Sequence, residues 1–262
     1  MSTEYHNNHY VPVWYQKRFL PPGQLNRELI YLDLKPGGFT DSRRIFHNQT
    51  GLHRWGPKRC FVEKDLYTTY FGSEESTAIE QAFFGQIDQN GKNGVEYFAD
   101  FAHPSVNYDA YHSMITYMST QKMRTPKGLR WLRSQFGSIN HDDLLRRMVE
   151  LRRVFAAIWT ECVWLIADAT QSETKFIISD HPVTVYNRRC GPRSDWCCGY
   201  NDPDIRFQGT HTIFPLSLEK ILILTNLSWV RNPYQSEIGL RPNPNLFREA
   251  VFKFTDIQTY GI

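Results

Sequence analysis

The chain has 262 residues, of which 41% are hydrophobic and 15% aromatic, and its formal net charge is +3. This composition is sufficient for the core of one domain and excludes an intrinsically disordered chain, and the small basic excess is not the strongly basic surface of a dedicated nucleic-acid binder. No apolar run reaches the roughly 18 residues of a membrane-spanning helix, so we predict no membrane partner. The N-terminus lacks a signal-peptide pattern, and the five cysteines are odd in number, so we predict a cytoplasmic protein.

The first part of the chain, residues 1–72, predicts a short helix followed by a small β element. Pro12 is acceptable in a first helical turn, and the apolar residues after it favour a helix that ends before residue 21. Residues 28–34 alternate and predict a strand. His9 precedes the helix, where backbone N–H groups point outward, so it either caps the helix or belongs to a polar site.

The middle of the chain, residues 73–168, predicts helices at 73–89, 108–136 and 142–168, with a connection at 91–107. Glu80 lies at the margin of the first apolar stripe. Pro126 must interrupt the second helix, because proline lacks an N–H group and restricts Thr125 before it. Arg124 at this break either points inward or belongs to a solvated basic face with Lys122.

The last part, residues 169–262, predicts a β-rich region and a final helix. The sequence KFIISDHPVTVYN at 175–187 predicts a buried strand whose last turn presents Asp180 and His181 at a sheet edge. Further strands are predicted at 210–217 and 220–226, with the continuous apolar run of the second in a central position, and the helix at 243–254. The predicted fold is a single α+β domain in which a helical middle packs on a largely antiparallel sheet.

Polar residues distant in sequence form the candidate site, since no standard catalytic motif is present. Asp180 and Glu80, with His9 nearby, are the residue types that hold Mg²⁺ or Mn²⁺, and Arg124 would bind a phosphate. The alternative is that Asp180 caps a turn and that Glu80 and Arg124 form a buried salt bridge. A zinc site is not favoured, because the C-x6-C-C spacing after residue 189 fits paired zinc knuckles poorly.

A series of short motifs resembles the bacterial domain-of-unknown-function family 4238. The resemblance covers almost the whole chain and depends on the order of the motifs, which are His9–Phe19, Ile30–Leu34, Ala78–Glu80, Met123–Pro126, Phe176–Val183, Phe214–Ser217 and Asn245–Ala250. It implies that His9, Glu80, Arg124 and Asp180 are the site residues. It also implies a bacterial or phage setting, in which defence or mobile-element roles are expected.

Two functional hypotheses follow from these residues. The first is a metal-dependent phosphodiester hydrolase of the nuclease type, in a bacterial defence or toxin setting, with nucleic acid as its partner. Asp180 and Glu80 would bind the metal, His9 would act as general base or ligand, and Arg124 would stabilise the phosphate charge. The second is a non-enzymatic module that binds a protein or a ligand, in which the same four residues form a structural network. Its anchors would be the tryptophans at 14, 55, 131 and 196.

Overall fold

The chain begins with short β ribbons, continues as a block of helices and ends in a larger sheet. The computed structural model describes residues 7–71, 74–76, 83–102, 107–191, 202–205, 207, 209–226 and 258–261, with the backbone alone at 70–71, 74–76 and 258–261. The strands are β1 (Asn7–His9), β2 (Leu29–Leu32), β3 (Gly38–Thr40), β4 (Phe46–Asn48), β5 (Leu52–Trp55), β6 (Val62–Lys64), β7 (Thr69–Phe71), β8 (Glu74–Ser76), β9 (Cys162–Asp168), β10 (Thr184–Asn187), β11 (Thr210–Pro215), β12 (Lys220–Asn226) and β13 (Gln258–Gly261). The helices are α1 (Val13–Gln16), α2 (Gly85–Ala99), α3 (Tyr108–Arg124), α4 (Pro126–Phe136) and α5 (His141–Trp159), with 3₁₀ turns at Lys17–Phe19 and Pro57–Arg59.

The last five strands form the largest sheet, in the order β10–β11–β12–β9–β13. Its pairs are antiparallel, except that β13 runs parallel to β9. Side chains alternate between the two faces, so Phe214, Leu222 and Ile166 are cross-strand neighbours and are buried together. The same face packs on the helices, where the rings of Trp164 and Tyr111 lie 4.8 Å apart.

The earlier strands pair as two-stranded ribbons, β1 with β6, β2 with β5, β3 with β4 and β7 with β8. In the β2–β5 ribbon, Leu32 pairs with Leu52, and both side chains are exposed on the outer face. Tyr31 and Trp55 lie on the inner face, where their rings stack 4.9 Å apart. The ribbon is therefore held to the core by one face alone, through Leu29 and these aromatic side chains.

Helix α3 runs through the middle of the helical block and is buried over its last two turns, residues 117–124. Helices α2, α4 and α5 all pack on it. Two glycines of α2 permit the closest approach: a Cβ atom at Gly91 would lie 2.5 Å from the Tyr117 ring, and one at Gly94 would lie 2.9 Å from the Met114 nitrogen. A side chain at either position would therefore push the two helices apart.

Much of the predicted architecture is confirmed. The fold is α+β, with the helical middle packed on a largely antiparallel sheet. The break at Pro126 separates α3 from α4, and β12 lies between β11 and β9 as a central strand. In the described part of the chain, no helix is both long enough and apolar enough to cross a membrane.

The predicted helix at 142–168 is wrong at its C-terminal end. Helix α5 ends at Trp159, and residues 162–168 form strand β9. The chain turns at Thr160 and Glu161, whose backbone N–H groups donate to the carbonyl groups of Ala156 and Ile158 at 3.1 Å each. Periodicity cannot distinguish a buried strand from a buried helix within a continuous apolar run, and this run has apolar residues on both sides of the boundary.

The predicted strand at 175–187 is also wrong in its first half. Strand β10 begins at Thr184, so Asp180 precedes the strand instead of ending it, and Ile177 is 80% exposed. Pro182 supplies no backbone donor, and the hydroxyl of Ser179 accepts from the His181 nitrogen at 3.2 Å, which closes a turn there. The polar residues therefore form the entry to a strand and not its exit.

The boundaries predicted at 73–107 are wrong as well. Strand β8 occupies part of the predicted helix at 73–89, and α2 begins within that predicted helix at Gly85 but continues through residues 91–99, where the sequence predicts a connection. The glycines that suggested a loop are instead the contact points with α3 described above. The predicted last helix at 243–254 lies outside the described residues.

Candidate functional site

The break between α3 and α4 is the centre of the candidate site. Thr125 is extended and caps α4, because its Oγ1 accepts from the Gly128 nitrogen at 3.2 Å while Pro126 occupies the first helical position. Lys122 and Arg124 occupy the last turn of α3, and both are buried. Long charged side chains are rarely buried unless they are paired, so each must have partners.

Lys122 contacts residues that come from two other parts of the chain. Its Nζ lies 3.1 Å from His181 Nε2, donates to the Val183 carbonyl at 3.2 Å and pairs with Asp202 Oδ2. Lys127 pairs with the other carboxylate oxygen of Asp202. We refer to Lys122, Lys127, His181 and Asp202 as the lysine cluster.

The contacts of His181 fix its tautomer. An ammonium group donates hydrogen bonds and cannot accept them, so the Nε2 atom that faces Lys122 must be the unprotonated nitrogen. The proton therefore lies on Nδ1, which donates to Thr125 Oγ1 at 2.6 Å. The neutral ring thus joins the lysine cluster to the cap of α4.

Burial and nearby charges shift the pKa values of His181, Lys122 and Asp202. Burial, followed by the Lys122 charge, lowers the pKa of His181 to about 4. Burial also lowers the pKa of Lys122, and Asp202 opposes that shift. Burial alone would raise the pKa of Asp202, but the ammonium groups of Lys122 and Lys127 hold it well below its usual range. His181 Nε2 is 3.7 Å from Asp202 Oδ2, which is too long for a hydrogen bond, and it carries no proton to donate. At neutral pH the cluster contains two ammonium groups, one carboxylate and a neutral imidazole.

A cavity of about 580 Å³ opens beside the lysine cluster, between α4, α5, the segments 181–185 and 202–205, and Phe207. Its other walls are mainly apolar and include Trp131 of α4 and Val154 and Phe155 of α5. The rings of Trp131 and Phe155 lie 6.0 Å apart and nearly perpendicular. The cavity therefore combines one charged wall with aromatic and aliphatic walls.

Arg124 faces the opposite environment, inside the core. Its Nη2 forms an ion pair with Asp88 Oδ1 at 2.8 Å, although no aligned hydrogen bond joins these two atoms. Its Nε donates to Gln121 Oε1 at 2.7 Å, and the guanidinium lies 5.3 Å from the Phe84 ring centroid. Burial disfavours the charge, but Asp88 outweighs it and raises the pKa of Arg124 above its ordinary value. Arg124 therefore points inward, which decides between the two alternatives that the sequence left open.

Hydrogen bonds connect the N-terminal part of the chain to the C-terminal end of α3. Gln121 Nε2 donates to the Tyr10 carbonyl at 2.7 Å, and Tyr67 Oη donates to the Arg124 carbonyl at 2.7 Å. His9, the residue before Tyr10, has its Nε2 at 3.0 Å from the Lys58 carbonyl. The segments that carry His9, Arg124 and Asp180 therefore meet at the α3–α4 break, although no described contact joins the three side chains.

Of the two predicted metal ligands, Asp180 and Glu80, the structure describes only Asp180. Asp180 is exposed, and its neighbour His181 makes the buried polar contacts. Glu80 lies outside the described residues. Over the part of the chain that the structure describes, no group of three or more His, Cys, Asp or Glu side chains is arranged to hold a metal ion. The predicted Mg²⁺ or Mn²⁺ site therefore has one placed carboxylate, and no catalytic step can be derived through it.

Sequence patterns give no signal for three members of the lysine cluster. Lys122 and Lys127 fit a solvated basic face in the sequence, and Asp202 lies 80 residues beyond Lys122 in a polar loop. The Asp180–His181 pair was the available signal, since an abrupt change from apolar to polar residues identified the segment. It identified the correct segment and favoured the exposed member of the pair.

Comparisons with known proteins add no relative: no family model matches the chain, and no curated protein or solved structure is significantly similar to it. The resemblance to family 4238 therefore stays a prediction. The fold and site together define an α+β protein with a ligand-sized cavity beside a buried charged cluster.

Proposed function

We propose that this protein binds a small molecule in the cavity between α4 and α5, with the lysine cluster as its polar wall. The observation that carries this proposal is a cavity of about 580 Å³ on which buried charged side chains converge. Ligand sites typically enclose roughly 300–1,000 Å³ and combine apolar walls with a few placed polar groups. This function corresponds to the second hypothesis from the sequence, a non-enzymatic module, with a ligand and not a protein as its partner.

The separation of polar and apolar walls supports this function. Trp131, one of the predicted anchor residues, lines the cavity with Phe155, while Lys122 and His181 line another part of it. The polar groups are held by hydrogen bonds to the α4 cap and to the Val183 carbonyl, so they are already oriented without a ligand. A fixed polar wall reduces the entropic cost of binding.

Fluorescence titration with the neutral probe phenylnaphthylamine tests this proposal, because the probe brightens in apolar sites. We expect saturable binding that Val154→Arg weakens by about tenfold, since the larger side chain fills the cavity. Val154 is 47% exposed on α5, and arginine is a good helix former, so this variant should fold. Leu32→Arg on the outer face of the β2–β5 ribbon is the matched control and should retain binding. Equal binding by wild type and Val154→Arg would contradict the proposal.

Metal-dependent phosphodiester cleavage, in a bacterial defence or toxin setting, is the second proposed function. Its support is the meeting of the segments that carry His9, Arg124 and Asp180 at one helix break. Arg124 would have to leave Asp88 to bind a phosphate, because it is 1% exposed. The test is cleavage of DNA and RNA with Mg²⁺ or Mn²⁺: activity that Asp180→Ala abolishes would support this function, and no activity in wild type would overturn it.

We propose the cytoplasm as the compartment of this protein. Cys60 is fully buried and forms no disulfide. Burial raises the pKa of its thiol to about 11, so the thiol is protonated and unreactive at neutral pH. Such thiols are compatible with a reducing compartment. A fluorescent fusion examined in fractionated bacterial cells tests this location, and recovery from the periplasm would contradict it.

A further inference from the structure

The two lysines of the cluster differ in how many donors remain for a ligand. The three N–H groups of Lys122 face Asp202, His181 and the Val183 carbonyl, so its hydrogen-bonding capacity is used within the protein. Lys127 pairs with Asp202 alone among the described residues, and its side chain is 32% exposed. Two of its three N–H groups therefore have no partner among the described residues, and Lys127 lines the cavity.

The charges nearest to Lys127 favour an anion at its ammonium group. Two ammonium groups share the single carboxylate of Asp202, and His181 is neutral at pH 7, which leaves one positive charge in excess within the lysine cluster. The carboxylate of Asp204 also lines the cavity and offsets this excess over the lining as a whole, so the attraction for an anion is local to Lys127 Nζ. An ammonium beside low-dielectric walls attracts an anionic group more strongly than one in bulk water.

The apolar walls determine the rest of the ligand. Trp131 and Phe155 present aromatic rings to the cavity, and Val154 and Leu151 add aliphatic surface on the same side. A ligand that fills this space must place an apolar body against the rings while its charged group reaches Lys127. A highly charged molecule such as a nucleoside triphosphate would leave several charges against apolar walls, which is costly.

We infer that the ligand is an aromatic monoanion, whose carboxylate or sulfonate group contacts Lys127 Nζ and whose ring packs against Trp131 and Phe155. This inference rests on the proposed binding function and specifies the chemical class of the ligand. Lys127 is then the residue that selects anionic over neutral molecules, and the lysine–aspartate pairing holds it in place. Lys122 positions Asp202 and His181 and does not contact the ligand.

A matched pair of probes tests the role of Lys127. Anilinonaphthalene sulfonate and phenylnaphthylamine share an aromatic body, and only the first carries an anionic group. We expect Lys127→Gln to weaken binding of the sulfonate probe by about tenfold, the size of one charge-assisted contact, and to change the affinity of the neutral probe by less than about twofold. Lys127→Arg should retain sulfonate binding, because it keeps the charge. Lys92→Gln on α2 is the control for removal of a distant surface lysine and should change neither affinity.

The outcomes separate this inference from the function on which it rests. If Val154→Arg changes the binding of neither probe, the cavity is not the binding site and the proposed function fails. If Val154→Arg weakens both probes but Lys127→Gln affects them equally, the binding function stands and the inference fails. A thermal melt of each variant confirms that it is folded, and rescue by Lys127→Arg excludes a general loss of structure.

Discussion

Lys122 and Arg124 belong to the same helical turn, yet they lie in two different regions of the molecule. Arg124 is enclosed in the core between α2 and α3, where Asp88 and Gln121 hold its guanidinium. Lys122 lies at the edge of a cavity, where its partners come from segments after α5. Both are buried cations paired with a carboxylate, but only the second pair borders space that a ligand can occupy. A buried ion pair is therefore not by itself a sign of a functional site, and the adjoining cavity makes the difference.

The largest effect is expected from breaking the core pair. Arg124→Met leaves the Asp88 carboxylate without its partner, and removal of one member of a buried pair costs about 3–5 kcal/mol. Asp88 keeps 24% of its side chain exposed, so the loss should fall near the lower end of that range. Urea unfolding of Arg124→Met, Asp88→Asn and the double variant measures the coupling between the two residues. A coupling energy below about 0.5 kcal/mol would show that the pair is not a structural element.

Substitution of either lysine in the cluster should lower the free energy of unfolding by less than breaking the core pair does, and the loss should be larger for Lys122 than for Lys127. Lys122→Met removes three hydrogen bonds from a side chain that is 7% exposed, and we expect a loss of about 2–3 kcal/mol in the free energy of unfolding. Lys127→Met alters a side chain that is 32% exposed and should cost less than about 1 kcal/mol. The same unfolding experiment provides both values. Equal losses would contradict the assignment of Lys122 to structure and of Lys127 to the ligand.

The free energy of unfolding should vary with pH because His181, in the lysine cluster, titrates differently in the folded and unfolded states. Burial lowers the pKa of His181 from an ordinary value of 6.5 to about 4 in the folded state, so between these values the unfolded chain binds a proton that the folded chain does not. The contribution of His181 is therefore complete above pH 6.5 and is lost as the pH falls toward 4, with a size of about 1.4 kcal/mol for each unit of pKa difference.

Urea unfolding at several pH values measures this dependence, with His181→Gln as the comparison. Glutamine cannot titrate, so the variant should lose the slope between pH 6.5 and pH 4, while it keeps the fall below about pH 4 that Asp202 and other carboxylates cause. A variant with the same slope as wild type would show that another group titrates in this window.

The smallest effect is expected at Asp180. Its side chain is exposed, and substitutions at such positions usually change stability by less than about 0.5 kcal/mol. Asp180→Ala should therefore unfold like wild type and should bind phenylnaphthylamine normally. A loss greater than about 1 kcal/mol would show that Asp180 contributes to the buried network, as its neighbour His181 does.

Residue types with strong local effects made the fold class and the helix break predictable. Pro126 ends α3 whatever surrounds it, because it lacks a donor and restricts the residue before it. The boundary between α5 and β9 was not predictable, since both sides of it are apolar and the choice depends on pairing with β12. The glycines of α2 were misleading for a similar reason: Gly91 marks a contact with Tyr117, which sequence spacing does not reveal.

For the candidate site, too, some features follow from the sequence and others only from the tertiary structure. Sequence alone identified the two segments, because Pro126 breaks a helix at 124–126 and the polar residues at 180–182 follow an apolar stretch abruptly. Only the tertiary structure decided that His181 is buried while Asp180 is exposed, that Arg124 pairs with Asp88, and that Lys122 reaches Asp202 across 80 residues. The physical reason is that backbone sterics and hydrophobic pattern act locally, whereas the cost of burying a charge is set by the partners that the completed fold places beside it.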